Sequence, residues 1–268
     1  IRRPPRSTPK PSSAASDVYK RQAIYSTFLQ RSIDQIIHDV ALQDLNVVFA
    51  LDRAGLVGED GPTHHGVFDL SYLRMIPRMV VMVPRDEWYL QRMIATAVKY
   101  DGGPIAVRYP RGRGEGVRLE WGDVDKIPPV PVGKWEQLRQ GKDGVIVAVG
   151  AMVYPALRVA DRLSKEGVEL CVVDGMFVKP MDADMLEEIG RSFEKVMVIE
   201  EYVVIGGFGE GVAHNLYASG FGGSVKVLGL PDSFVEHGAR KELLRIVGLD
   251  EESLYTEAKK FFRGEDGT

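Results

Sequence analysis

Two doubly wound α/β domains in series are expected from this chain of 268 residues, and three observations carry that expectation. Short, wholly apolar runs alternate with amphipathic ones, which is the pattern of parallel strands buried on both faces and of the helices that cover them. The alternation breaks once, between Gly112 and Gly144, where Gly, Pro and charged residues take over, including Ile127-Pro128-Pro129-Val130-Pro131. With 44% apolar and 27% charged residues, the chain is long enough to fill two ordinary cores.

The elements follow in order. Residues 1–22 are basic and Pro/Ser-rich with no apolar period, so they cannot build a core. This stretch resembles the translation of a sequencing-adapter tract and is set apart as a non-native, disordered segment, which implies a natural protein that begins further upstream. From Ala23, the apolar positions Phe28, Leu29, Ile33, Ile36, Ile37, Val40 and Ala41 recur at helical spacing and predict an amphipathic helix of about five turns. The apolar run from Asn46 to Leu51 is a strand, and a Gly-rich loop extends from Asp52 to Gly66. A second strand, Met79 to Val83, is stopped by Pro84. The helix from Asp86 to Lys99 starts with two carboxylates at its positive end, and Asp101-Gly102-Gly103-Pro104 turns the chain into a third strand, Ile105 to Tyr109.

These elements form a partial first domain over residues 23–114, followed by a linker over 115–143 and a second domain over 144–268. In the second domain, strands are expected at Val145 to Val149, Glu169 to Val173, Val196 to Ile199 and Val225 to Leu228. Helices are expected at Tyr154 to Lys165, Asp182 to Phe193 and Gly211 to Ser219, with two more closing the chain.

Composition narrows the function classes. A net charge of −4 and a pI near 5.8 argue against a nucleic-acid or membrane surface and for a small-molecule partner. No apolar stretch approaches the roughly 18 residues of a membrane helix. Cys171, the only cysteine, sits in an apolar strand-like run, so a buried structural role in a reducing, cytosolic compartment is expected.

Ligands of open α/β sheets bind at the carboxyl ends of strands, and three clusters lie there. The loop from Asp52 to Gly66 brings His64 and His65 beside Glu59 and Asp60, an arrangement suited to proton transfer. Arg108-Tyr109-Pro110-Arg111-Gly112 ends a strand with two guanidinium forks suited to phosphate. Tyr25-Ser26-Thr27-Phe28-Leu29-Gln30-Arg31 starts a helix. Each also has an ordinary reading as solvated charge or core packing. Adjacent histidines on a loop lack metal-ligand geometry, so no metal site is assigned. Gly206-Gly207-Phe208-Gly209-Glu210-Gly211 misses the spacing of a dinucleotide fingerprint and reads as helix-start packing, and Glu200-Glu201 reads as structural or interfacial.

The runs Tyr25 to Arg31, Asp52 to Gly58, Asp60 to Gly66, Phe68 to Arg74 and Arg108 to Gly112 resemble the pyrimidine-binding domain of the 1-deoxy-D-xylulose-5-phosphate synthase family of transketolase-like enzymes. Val173 to Asp182 and Gly229-Leu230-Pro231-Asp232 extend the resemblance through the second domain, so that it covers Ala23 to Phe262. It implies a thiamine-diphosphate- and Mg2+-dependent condensation of pyruvate with glyceraldehyde 3-phosphate, with loss of CO2, in isoprenoid, thiamine and pyridoxal precursor synthesis. By the same resemblance, Phe28 stacks on the cofactor's aminopyrimidine with Arg31 close by. Tyr25, Arg53 and Arg111 hold the triose phosphate, and His64 assists proton transfer with Asp60 nearby.

The family's activating glutamate and its diphosphate- and metal-anchoring domain have no counterpart in this chain, so the isolated polypeptide is expected to be an inactive C-terminal part. A homodimer is expected for the complete enzyme, in the cytoplasm or a plastid stroma. Two alternatives stay open: a separate beta-type subunit of a thiamine-dependent 2-oxoacid dehydrogenase or transketolase, and a non-catalytic dimerisation module.

Overall fold

The computed structural model describes residues 20–117, 119 and 124–264. It contains two five-stranded sheets with helices packed against them. Of the terminal segment set apart above, residues 1–19 lie outside the described residues, whereas Lys20, Arg21 and Gln22 open strand β1 (Lys20–Tyr25). This strand runs parallel to β2 (Val47–Ala54) and places Tyr25 beside Asp52. The helix expected from Ala23 therefore starts only at Ser26, because Tyr25 keeps an extended backbone with φ −66° and ψ 136°. It continues through residues 26–41 as α1, with a tight turn at Gln30–Ser32 and wide turns over Ile36–Ala41.

β3 (Val80–Met82) and β4 (Ile105–Pro110) complete the parallel part of the first sheet in the order β1-β2-β4-β3. Two helices flank them. α2 (Asp69–Met75) is a short element that periodicity did not signal. α3 (Glu87–Lys99) is capped by Asp86, whose carboxylate accepts the Tyr89 N–H at 2.8 Å.

The second sheet has the order β10-β9-β6-β7-β5. Its parallel strands are β6 (Gly144–Ala148), β7 (Leu170–Asp174), β9 (Lys195–Val203) and β10 (Ser224–Leu230), close to the expected positions. β5 (Glu136–Arg139) arises within the stretch read as a linker and pairs antiparallel with β7. β8 (Phe177–Lys179) leaves its own sequence neighbours and pairs antiparallel with β3, closing the far edge of the first sheet. The helices are α4 (Val153–Ser164), α5 (Ala183–Ser192), α6 (Phe208–Ala218), α7 (Arg240–Ile246) and α8 (Glu251–Arg263). Among the described residues, no helix is long and apolar enough to cross a membrane.

The two units share their interior. One apolar core runs through both sheets, with Val81, Met82, Phe177, Val147, Val173 and Val198 among its members. A second core lies on the opposite face of the second sheet, beneath α4 and α8, and it takes in Leu56 and Val67 from the ends of the first unit's Gly-rich loop. At the seam, polar groups from both units meet, although Asp174 Oδ1 is left without a hydrogen-bond partner among the described residues. Arg85 binds Glu136 at 2.7 Å and the fully buried Asp174 at 2.8 Å, while burial pushes the Asp174 carboxyl up to about 7.

Glu200 is also fully buried and accepts the N–H groups of Phe208 and Gly209 at 2.7 and 2.8 Å, so that it caps α6. A Cβ on Gly207 would lie 2.8 Å from that carboxylate. The glycines of the 206–211 stretch thus serve helix-start packing, as expected. Cys171 is buried, and its thiol is pushed up to about 11 by that burial.

Candidate functional site

Because β1, β2 and β4 are adjacent and parallel, their carboxyl ends gather three separate sequence clusters at one edge of the first sheet. Tyr25 is the last residue of β1, and the extended-to-helical switch after it projects Phe28 from the first turn of α1. The Tyr25 and Phe28 rings stack with centroids 5.4 Å apart and planes 12° apart. Phe28 is 40% exposed. His64 meets it edge-on, with centroids 5.5 Å apart and an interplanar angle of 72°.

Arg53 lies with its guanidinium carbon 3.9 Å from the Tyr25 ring centroid and pairs with Asp52. The loop that delivers His64 is built from left-handed residues: Arg53 at φ 56°, Gly55 at 78°, Gly58 at 83° and Gly61 at 72°. For Arg53 this conformation carries strain, as it does for Asp44 and Arg78 elsewhere in the chain.

Two hydrogen bonds between Gly55 and Gly66, of 2.8 and 2.9 Å, close the base of the loop. The Thr27 hydroxyl donates to the Thr63 carbonyl at 3.0 Å and ties the loop to the start of α1. The Thr63 hydroxyl lies 2.9 Å from His64 Nδ1, which leaves Nε2 as the uncommitted ring nitrogen among the described residues. Asp60 pairs with Arg111 at 2.5 Å, and with side-chain exposures of 43% and 45% this pair is readily exchanged. Arg31 is exposed one turn beyond Phe28.

The structure therefore brings Tyr25, Phe28, Arg53, Asp60, His64 and Arg111 around one open edge, with Arg31 at its margin. Two other residues of the clusters do not join them. His65 is buried, with Nδ1 accepting the Val57 N–H at 3.1 Å and Nε2 lying 3.3 Å from the Glu236 carbonyl. With both ring nitrogens engaged, it is a structural tie and has no nitrogen left to face a ligand. Arg108 points into the core, 5% exposed, where Nε donates to both Asp69 oxygens at 2.9 and 2.8 Å and Nη2 donates to the Gly66 carbonyl at 2.8 Å. Its charge is already spent there, so the expectation of two phosphate forks after β4 reduces to Arg111.

Glu201, expected to be structural or interfacial, borders the loop and pairs with Arg240, which no sequence signal marks. The only signal for Glu201 was an acidic pair at a strand end. An apolar cavity of about 530 Å³, lined by Phe68, Val204, Ile205, Leu230 and Val247 among others, lies apart from the array and includes none of its members.

Residues 17–115 match the family model of the transketolase pyrimidine-binding domain, and residues 133–254 match that of the transketolase C-terminal domain. A curated 1-deoxy-D-xylulose-5-phosphate synthase of Carboxydothermus hydrogenoformans is 53% identical over 233 residues, which is 87% of this chain and 36% of that protein. The synthase of Aquifex aeolicus is 48% identical over 251 residues, 94% of this chain and 39% of that one. The chain thus spans little more than a third of the length of these relatives.

Among solved structures, "Split gene transketolase, inactive beta4 tetramer" superposes with a TM-score of 0.78 at 29% identity, covering 94% of this chain and 78% of that one. The transketolase of Campylobacter jejuni shares the fold, with a TM-score of 0.68 at 21% identity over 89% of this chain and 35% of that one.

Proposed function

Since the chain belongs to the transketolase family and carries that family's pyrimidine-binding and C-terminal domains, we propose that it forms the C-terminal part of a 1-deoxy-D-xylulose-5-phosphate synthase, condensing pyruvate with glyceraldehyde 3-phosphate and releasing CO2. The observation that carries the reading is the half-exposed Phe28 ring, flanked by His64 and by the Tyr25–Arg53 stack at the carboxyl ends of β1 and β2. A flat aromatic face left open to solvent suits an aromatic pyrimidine, so the residues present fit that end of thiamine diphosphate. They do not fit its metal: among the described residues, no group of three His, Cys, Asp or Glu could hold an ion. We assign Mg2+ and the diphosphate to protein outside this chain.

When bound, the cofactor supplies the carbon nucleophile that pyruvate needs in order to lose CO2. This chain's residues do the rest of the work at their edge of the site. Phe28 holds the pyrimidine by stacking, with Arg31 beside it. Arg53, held flat on Tyr25, and Arg111 take the phosphate of the triose, and Tyr25 completes that cradle. For Arg111 to do so, it must exchange the Asp60 carboxylate for the phosphate. This costs little at such exposure, and it frees Asp60 on the same loop as His64. His64, oriented through Nδ1 by Thr63, moves the proton at Nε2. A homodimer in a cytosolic or stromal setting completes the proposal.

The test is to express the chain alone and together with the upstream part of the Carboxydothermus relative, then supply thiamine diphosphate, Mg2+, pyruvate and glyceraldehyde 3-phosphate and follow CO2. Release by the pair and none by the chain alone is expected. A pair that assembles yet releases none would overturn the assignment.

A second reading has support from the split-gene structure, in which a chain of this architecture is a separate beta component. Recovering the coding sequence upstream of Ala23 separates the two. An uninterrupted frame that continues into a metal-binding domain supports the single-chain synthase. A stop followed by a start near Ala23 supports the separate subunit.

A further inference from the structure

The loop over residues 52–66 carries three residues of the candidate site, yet much of what fixes its path lies in the second unit. Leu56 is fully buried in the core beneath α4 and α8. Its N–H donates to Glu201 Oε1 at 2.9 Å across 145 positions of sequence. Glu201, at the carboxyl end of β9, is buried and held from the other side by Arg240 of α7, whose Nε lies 3.2 Å from Oε1 and whose Nη2 pairs with Oε2. Gly55 packs flat on the same carboxylate, where a Cβ would lie 2.8 Å from Cδ and Oε1. Further along, the Gly58 carbonyl accepts from the Gly238 N–H at 3.4 Å, and His65 Nε2 reaches the Glu236 carbonyl at 3.3 Å.

From these contacts we infer that Glu201 is a positioning residue for His64 and Arg53. With Arg240 it forms a clamp by which the second unit sets the geometry of the catalytic loop in the first. A carboxylate is suited to the task because it can take a backbone N–H and a guanidinium at once, and burial makes both interactions strong. The contact pins the loop at the residue between the left-handed turn at Gly55 and the next one at Gly58, while the base of the loop is closed separately by the Gly55 and Gly66 backbone. The clamp therefore governs where the tip lies and not whether the loop closes. This inference rests on the reading of the loop as part of an active site, and its test is independent of turnover.

The experiment compares wild type, Glu201→Ala and Glu201→Gln in the whole chain, with histidine-selective isotope labelling and amide hydrogen exchange. Glutamine keeps an acceptor for the Leu56 N–H and can still meet Arg240, so it serves as the conservative rescue. In Glu201→Ala, the Leu56 amide is expected to exchange about tenfold faster or more. The His64 ring resonance, displaced by the Phe28 ring packed against it, is expected to move toward that of the exposed His38, with the His214 resonance unchanged. In Glu201→Gln, both readouts stay near wild type.

An unmoved His64 resonance in Glu201→Ala overturns the inference, and so does a Gln variant that moves as far as the Ala variant. Should Glu201→Ala fail to fold, Arg240→Met keeps the Leu56 bond and loosens only the carboxylate; movement of His64 then supports the clamp and its absence overturns it. A failed clamp leaves the proposed function standing, and a failed turnover test leaves the clamp standing.

Discussion

Replacing Asp69 by Asn removes the charge that neutralises Arg108 and leaves the size of the side chain unchanged. Arg108 is 5% exposed and makes two of its hydrogen bonds to Asp69, with a third, at 2.8 Å, to the Gly66 carbonyl. Breaking one side of a buried ion pair costs about 3–5 kcal/mol, because the remaining charge is stranded away from water. Asparagine still offers one acceptor oxygen, so the low end applies, about 3 kcal/mol. At about 2–4 °C per kcal/mol for a chain of this size, the thermal midpoint should fall by about 6–12 °C.

The assay is urea unfolding followed by circular dichroism, on Asp69→Asn, Arg108→Met and the double variant. If the penalty is a stranded charge, removing both partners should recover at least half of the single-variant losses. An Asp69→Asn midpoint within about 0.5 kcal/mol of wild type, or a double variant as damaged as the sum of the singles, would refute the reasoning. Arg108 would then return as a phosphate candidate beside Arg111.

Three further outcomes are expected. Arg111→Ala should leave the unfolding midpoint within about 1 kcal/mol of wild type, since its pair with Asp60 is nearly half exposed, while raising KM for the triose phosphate in the assembled enzyme far more than it lowers kcat. Gly55→Ala should destabilise by about 1–2 kcal/mol for the left-handed backbone alone, and its Cβ should dislodge the Glu201 carboxylate, which faster amide exchange at Leu56 would report.

The buried carboxyls of Asp174 and Glu200, raised from 3.8 and 4.5 to about 7, are protonated in the folded state at pH values where the unfolded chain has already lost the proton. The stability they add is therefore complete below about pH 4 and disappears as pH rises through about 7, so urea midpoints should be lower at about pH 8 than at about pH 5. Asp174→Asn should flatten that slope.

Most of the parallel strands could be read from the sequence because each is a continuous apolar run bounded by Gly, Pro or charge: Val80–Met82, Ile105–Pro110, Gly144–Ala148 and Leu170–Asp174 fall where hydropathy put them. The elements that escaped are those whose reason lies in a partner. β1 reads Lys-Arg-Gln-Ala-Ile-Tyr and β5 Glu-Gln-Leu-Arg, edge strands too polar to show a period. β8 is a strand only because β3 lies beside it.

The candidate site shows the same division. Strand-end position marked the clusters that hold Tyr25, Phe28, Arg53, Asp60, His64 and Arg111, the resemblance alone singled out those residues, and the parallel register of β1, β2 and β4 explains why the clusters lie side by side. That His65 is a tie and Arg108 a core residue could not be told from their neighbours in sequence. Their fates depend on Glu236 and Asp69, which lie 171 and 39 positions away.

The placement of β8 has a consequence for synthesis on the ribosome. When the first sheet's own strands have emerged, β3 still shows an unpaired edge of Val-Val-Met, and the segment that covers it follows nearly a hundred residues later, at Phe177–Lys179. Until then the nascent sheet offers its backbone to any passing extended chain. A chaperone that holds the first unit should release it only after residue 179 has cleared the exit tunnel. For the same reason, a gene cut between residues 115 and 143 would yield an N-terminal product with a sticky, unfinished edge.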